Sequence, residues 1–207
     1  MIVIGISGWA GSGKNTVGSF AALHLTTKYG LKVQMASLAA PLKEMARDLG
    51  WDGQKNDLGR FFLQKIGGTY RAMNPNYWIN LLWEDIEVAD RKPERLPRLI
   101  DEFGTEHTAI GHFPHTELQK DVFIITDVRY KNEAEWVTKT LRKEGHQTTL
   151  WRVSMEGYAG LSGDRGKHAS ECELDAWDFN GHISAAKGDF NHLYEQTCSL
   201  VDTLMEA

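Results

Sequence analysis

The sequence predicts an α/β fold: a five-stranded parallel sheet flanked by helices, with an inserted helical region and a lid. Three observations predict it. The apolar run Ile2-Val3-Ile4-Gly5-Ile6 leads directly into Ser7-Gly8-Trp9-Ala10-Gly11-Ser12-Gly13-Lys14-Asn15-Thr16, which reads as a buried strand, a glycine-rich turn and a helix start. A second continuous apolar run, Val122-Phe123-Ile124-Ile125-Thr126, has the character of a parallel strand buried on both faces. Strand and helix signals then alternate on either side of the insertion, the pattern of parallel βαβ units.

In chain order, Val17, Phe20, Ala21 and Leu25 fall at helical spacing, predicting a first helix to about Lys28, with His24 packed on the same face. Gly30 stops it, and Lys32 to Ser37 reads as the second strand. Leu38-Ala39-Ala40-Pro41-Leu42-Lys43 then opens a helix to about Leu49. Leu58, Phe61, Phe62 and Ile66 mark a further helix, and Trp78, Ile79, Leu82, Trp83 and Ile86 mark another after Pro75, with Gly67-Gly68-Thr69-Tyr70-Arg71 between the two. This stretch interrupts the alternation, so residues from about 38 to 120 read as an insertion that covers a substrate. Within it, Lys92 to Gln119 carries three prolines and the histidines His107, His112 and His115. No acidic or cysteine partner stands at metal-ligand spacing from those histidines, and the segment reads as a surface excursion.

Asp127-Val128-Arg129 follows the buried strand at its carboxyl end, where open α/β sheets bind ligands. Ala134, Val137 and Leu141 share a face of the next helix, which stops near Gly145, and His146 to Val153, containing Arg152, forms the fourth strand. Four glycines between Glu156 and Lys167, with Arg165, Lys167 and His168, predict a mobile basic lid over about 154–170. Ser170 and Glu173 have the spacing of a capping box, while His168-Ala169-Ser170-Glu171 could equally touch substrate. A short fifth strand is placed near Asp178 to Ile183, and Asp189 caps a last helix bearing Phe190, Leu193, Thr197, Leu200, Val201 and Leu204 on one face.

With 207 residues, 42% hydrophobic and 25% charged, the chain has the composition of one soluble domain with a sizeable core. A net charge of −5 argues against a broad nucleic-acid-binding surface. The two cysteines, Cys172 and Cys198, have neither metal-ligand nor disulfide-framework spacing, so a reducing cytoplasm is expected. No apolar run approaches membrane-spanning length and the first residues have no basic leader region, so no membrane association is expected.

The chemistry starts at the glycine turn. Gly8, four residues, Gly13 and Lys14 match the phosphate-binding pattern GxxxxGK[ST] up to its last position, where Asn15 stands, followed by Thr16. Glycines let the backbone N–H groups of such a loop face a phosphate, the helix start adds free amides, and the lysine ammonium reaches the terminal phosphates. Gly8, Gly11, Ser12, Gly13, Lys14, Asn15 and Thr16 are therefore expected to hold ATP. Asn15 and Asp127 are expected to manage Mg2+, with the neutral Asn15 amide acting through water. Arg129 and Arg152, after adjacent strands, are expected to join Lys14 and Asp127 as catalytic groups, with the lid cations neutralising charge in transit. Val128, not Glu, follows Asp127, which argues against activation of a hydrolytic water.

Several segments resemble the bacteriophage deoxynucleoside monophosphate kinases, a branch of the P-loop nucleoside monophosphate kinases. They are Gly11 to Thr16, Leu38 to Lys43, Thr126-Asp127-Val128-Arg129-Tyr130-Lys131-Asn132-Glu133-Ala134-Glu135, and His168 to Glu171, with Leu63 to Gly67 leading to Arg71 and Trp78. The resemblance implies a P-loop kinase that moves the γ-phosphoryl of ATP to a deoxynucleoside 5′-monophosphate in a cytoplasm, the host's if the chain is of phage origin. It implies that Lys43, Gln64, Arg71, Trp78, Arg129 and Glu133 bind the acceptor, with Arg71 and Arg129 on its phosphate and Trp78 against its base. A homodimer is left open. The family often has Asp at the place of Asn15 and Phe at that of Leu38, and its closing strand reaches an Asn where Ala185 is nearest here. A kinase for another acceptor such as dephospho-coenzyme A, and a catalytically silent nucleotide-binding module, are the alternatives.

Overall fold

The structure is a computed structural model that describes residues 1–91, 98–100, 106–108, 120–158, 160, 166 and 168–206. The chain divides into two compact units, Met1–Ala36 with Lys120–Ala207, and Ser37–Gln119.

The first unit is built on a five-stranded parallel sheet flanked by helices. Its strands are β1 (Ile2–Ser7), β2 (Val33–Ser37), β5 (Val122–Val128), β6 (Gln147–Met155) and β7 (Gly181–Ala185), in spatial order β2-β5-β1-β6-β7. β1 lies at the centre because its side chains leave no polar face: Val3, Ile4 and Ile6 are fully buried. Helix α1 (Lys14–Tyr29) and helix α8 (Phe190–Glu206) close a core of Ile4, Ile6, Val17, Leu25, Ile124, Trp151 and Val201. Gly30, at φ 66°, ends α1 by donating its N–H to the carbonyls of Leu25 and Thr26.

Register decides what stands at the carboxyl edge. Ser7, the last residue of β1, is paired with Val128 on one side and with Arg152 on the other. The loop after β1 is thereby flanked by Asp127-Val128-Arg129 and by Arg152. Between Gly5 and Ser7 the β1–β5 register slips, with Gly5 opposite Ile125 and Ser7 opposite Val128. The residue this adds to β5 falls where Asp127 takes φ 64°, and such a bulge re-aims a side chain.

After β5 come α5 (Lys131–Glu135), a π-helical turn (Trp136–Thr140) and α6 (Leu141–Lys143), together the helix expected there. Later, α7 (Ala169–Cys172) is a single turn capped by His168, whose Nδ1 accepts from the Ser170 N–H. The capping box expected of Ser170 and Glu173 does not form. Glu173 is instead the C-cap, and its carboxylate accepts the Lys131 N–H at 2.9 Å, capping α5 from outside. The last strand begins three residues later than expected, because the backbone and side chain of Asn180 are already spent on Leu150. Asp189 does cap the last helix, accepting from the His192 N–H.

The second unit holds α2 (Ala40–Asp48), α3 (Asp57–Met73) and α4 (Tyr77–Arg91). Asn56 caps α3 by accepting the Gly59 N–H at 2.8 Å. α3 runs unbroken through Gly67-Gly68, where the sequence suggests a break. At Gly67 a Cβ would come within 3.3 Å of Leu42, so packing against α2 outweighs the helix cost of glycine there, about 1 kcal/mol. The excursion read over Lys92 to Gln119 contains a short antiparallel pair, β3 (Arg98–Ile100) with β4 (Glu106–Thr108), which includes His107. The rest of that excursion, His112 and His115 included, lies outside the described residues. Among the described residues, no helix is long and apolar enough to cross a membrane.

Candidate functional site

The loop between β1 and α1 is shaped by steric need. At Gly8, with φ 153°, a Cβ would sit 2.3 Å from the Val153 carbonyl oxygen and 2.6 Å from Ser12 Oγ, so only glycine fits. Gly13, at φ 96°, precedes α1 and offers no side-chain cap to its first turn. Ser12 Oγ is buried with no hydrogen-bond partner among the described residues. An uncapped start of a sixteen-residue helix and an orphaned buried hydroxyl in one loop form an arrangement suited to an anion.

Lys14 is 5% exposed. Its ammonium donates to the carbonyls of Gly8 and Trp9, each at 2.8 Å, and lies 3.6 Å from Asp127 Oδ1. Burial pushes the Lys14 pKa down to about 8, and the Arg129 charge lowers it too, against the opposing pull of Asp127 and Glu171. Arg129 is also enclosed. Its Nη2 donates to Asp127 Oδ1 at 3.3 Å, and its Nη1 donates to the Ser170 carbonyl at 3.0 Å and to Glu171 Oε1. Burial works against the guanidinium charge, but the Asp127 and Glu171 carboxylates outweigh it and hold the Arg129 pKa above its ordinary value. Glu171 spends its other oxygen on the loop, accepting the Ala10 N–H at 2.9 Å.

Arg152 is locked in place. It donates to Asp175 Oδ1 at 2.5 Å and to Ser7 Oγ at 3.4 Å, and its guanidinium stands 5.4 Å from the Trp9 ring centre and 5.5 Å from that of Phe179. The Trp9 indole N–H donates to the same Asp175 oxygen at 3.2 Å. Tyr158 donates its hydroxyl to the Ala10 carbonyl at 2.9 Å.

Of the residues the sequence singles out, the first unit brings together Gly8, Gly11, Ser12, Gly13, Lys14, Asp127, Arg129 and Arg152. Asn15 is exposed and Thr16 half-buried in the first turn of α1. Glu133 is buried and accepts the backbone N–H groups of Arg129 and Tyr130, so it shapes the turn that carries Arg129. Lys43, Gln64, Arg71 and Trp78 belong to the second unit, on α2, α3, α3 and α4. There Trp78 is 1% exposed, donates its indole N–H to the Gly67 carbonyl and packs on Tyr70 and Tyr77, as a core residue does. His168 serves as the cap of α7, and Arg165 and Lys167 lie outside the described residues. Sequence reasoning missed Tyr158 and Asp175, since a lone tyrosine and a lone aspartate in loops carry no spacing signal.

Asp127 offers a hard oxygen at the strand end, but among the described residues no group of three or more His, Cys, Asp or Glu is arranged to hold a metal ion. No protein-family model and no curated protein matches this sequence.

Proposed function

We propose that this chain is a phosphotransferase that moves the γ-phosphoryl of ATP to a deoxynucleoside 5′-monophosphate. The observation that carries the reading is Lys14: a buried ammonium at the start of a long uncapped helix, held among the described residues by its own loop and by Asp127. Such a cation is costly to bury, and a polyphosphate is the ligand that would use it together with the helix amides and the Ser12 hydroxyl. The deoxynucleotide acceptor is supported by the sequence resemblance, which also supports Lys43, Gln64 and Arg71 as acceptor-binding groups.

In this reading Lys14 and the loop hold the triphosphate, and Arg129 neutralises the phosphoryl in transit. The bond from γ-phosphorus to the β–γ bridging oxygen breaks, and a new one forms to an oxygen of the acceptor phosphate, giving ADP and the diphosphate with no net proton needed. Mg2+ would supply charge neutralisation along the phosphates. Magnesium prefers one or two carboxylates plus phosphate and water oxygens to an all-protein cage, so Asp127, with Asn15 and Thr16 through water, fits its demands. Arg152, bolted to Asp175 between two rings, serves better as a fixed wall beside the loop than as a travelling cation.

Coupled ADP release over a panel of deoxynucleoside and ribonucleoside monophosphates and dephospho-coenzyme A tests the reading. ADP formation that requires a deoxynucleoside monophosphate is the expected result. Turnover with dephospho-coenzyme A alone, or ATP binding with no acceptor-dependent turnover, would overturn it.

A further inference from the structure

We infer that Glu171 is a positioning residue, the clamp that fixes the crest of the glycine loop and the Arg129 guanidinium in one frame. The inference rests on the phosphoryl-transfer reading and adds a residue to it. Glu171 is 8% exposed, and its two oxygens are divided between the two halves of the site, Oε1 on Arg129 Nη1 and Oε2 on the Ala10 N–H. The next peptide of the loop is held as well, by the Tyr158 hydroxyl on the Ala10 carbonyl. Arg129, for its part, is fastened to α7 by the Ser170 carbonyl as well. A buried carboxylate needed only to balance Arg129 would not have to reach the loop, and one needed only to cap the loop would not have to meet a guanidinium.

The charges support the same conclusion. Lys14 and Arg129 are balanced by Asp127 and Glu171, and the four form a continuous line from the loop lysine to the loop amide. Charge-assisted bonds of this kind fix direction as well as distance. Phosphoryl transfer depends on cations aimed at a moving group, so a clamp on Arg129 acts on turnover more than on the affinity for ATP.

Three variants test this: Glu171→Gln, Glu171→Asp and Glu171→Ala. Each is followed by ATP titration calorimetry, by steady-state ADP release and by hydrogen exchange at the Ala10 amide. Glu171→Gln should lower kcat by up to about 100-fold, the cost of misplacing a reacting group by about 1 Å. Its ATP affinity should stay within about threefold, because only a negative charge has left the pocket. Glu171→Asp keeps the charge but shortens the reach, so Ala10 exchange should stay faster than in the wild type. Wild-type kcat in Glu171→Gln would overturn the clamp, as would ATP affinity, kcat and Tm falling together in all three variants. A wild-type protein that neither binds ATP nor releases ADP would overturn the phosphoryl-transfer reading instead, whatever the Ala10 exchange shows.

Discussion

Asp202 and Asp127 each gather several donors onto one carboxylate, in the same unit of the chain, under opposite conditions. Asp202 stands on α8 and accepts from His24 Nε2 at 2.7 Å, Lys28 Nζ at 2.7 Å and Tyr29 OH at 2.8 Å, all from the C-terminal half of α1. It is about a third exposed, in relaxed helical backbone, and its partners ask nothing unusual of the fold. Asp127 is half as exposed, takes a left-handed φ of 64°, and faces one buried cation, Lys14, and one half-buried, Arg129. A left-handed non-glycine residue costs of order 1 kcal/mol, and buried charges cost more. The first cluster ties two helices together at the surface. The second accepts strain and desolvation to hold charge in a fixed place, as the proposed function requires of it.

If that contrast is right, substitutions at the two clusters should separate activity from stability. The largest effect is expected at Lys14. Lys14→Ala should lower turnover by about 10³-fold or more through loss of a phosphoryl-stabilising cation. Its circular dichroism should match the wild type and its Tm should change little, because a costly buried charge leaves with the side chain. Near-normal ADP release would place Lys14 with Asp202 as a structural group. Asp127→Asn comes next. It should lower turnover about 10- to 100-fold, since Lys14 and Arg129 lose their shared counter-charge and the oxygen offered to magnesium loses its negative charge. Steady-state kinetics over a magnesium titration would measure it, and a fall in Tm with turnover intact would dissolve the distinction between the two aspartates.

The two clusters also differ in how legible they were. Lys14, Asp127 and Arg129 follow from local patterns: a glycine spacing with an apolar strand before it, and charges directly after a buried run. The parallel sheet was legible for the same reason, because Val122 to Thr126 and Ile2 to Ile6 are continuous apolar runs that only a core can absorb. Glu171 lies in the His168 to Glu171 segment that the sequence offers as a substrate contact, but it and Tyr158 reach the loop from about 160 and 150 residues away, and no spacing rule spans such distances. His24 was legible as a packed residue, but its partner Asp202, 178 residues on, was not. The break expected at Gly67-Gly68 failed for a related reason. Propensity is a local quantity, and the contact with Leu42 that keeps α3 continuous is tertiary.

A pH profile sharpens the contrast further. Lys14 holds its proton with a pKa lowered from 10.5 to about 8, so the loop cation is lost as pH rises through about 8. kcat/KM should therefore fall about tenfold per pH unit above that point, where an ordinary lysine would stay charged for two more units. Stability should move the other way. Between about pH 8 and 10.5 the unfolded chain binds the extra proton, so raising pH across that window favours the folded state at this residue. A profile flat to pH 10 would show that Lys14 is not the group that matters.

The smallest expected effect is at Asp202, and it has a different signature. Donation from Lys28, His24 and Tyr29, in that order, holds the Asp202 carboxyl well below its ordinary value of 3.8. A carboxylate with a depressed pKa contributes stability that is fully present above its unfolded value and is lost as pH falls below it. Asp202→Asn should thus lower Tm by a few degrees at pH 7, the scale of a partly exposed ion-pair network. The gap between variant and wild type should narrow below pH 3.8, once the carboxyl of the unfolded wild-type chain takes up a proton that the folded one still refuses. Turnover should stay at the wild-type level, because the cluster joins the C-terminal half of α1 to α8 and, among the described residues, its hydrogen bonds reach none of the loop residues. Thermal melts at a series of pH values, run beside ADP release at pH 7, measure both halves. A Tm gap that persists unchanged at pH 3 would mean the variant acts through packing and not through charge. A loss of turnover at pH 7 without a loss of Tm would mean that α1 carries the state of its far end back to the glycine loop.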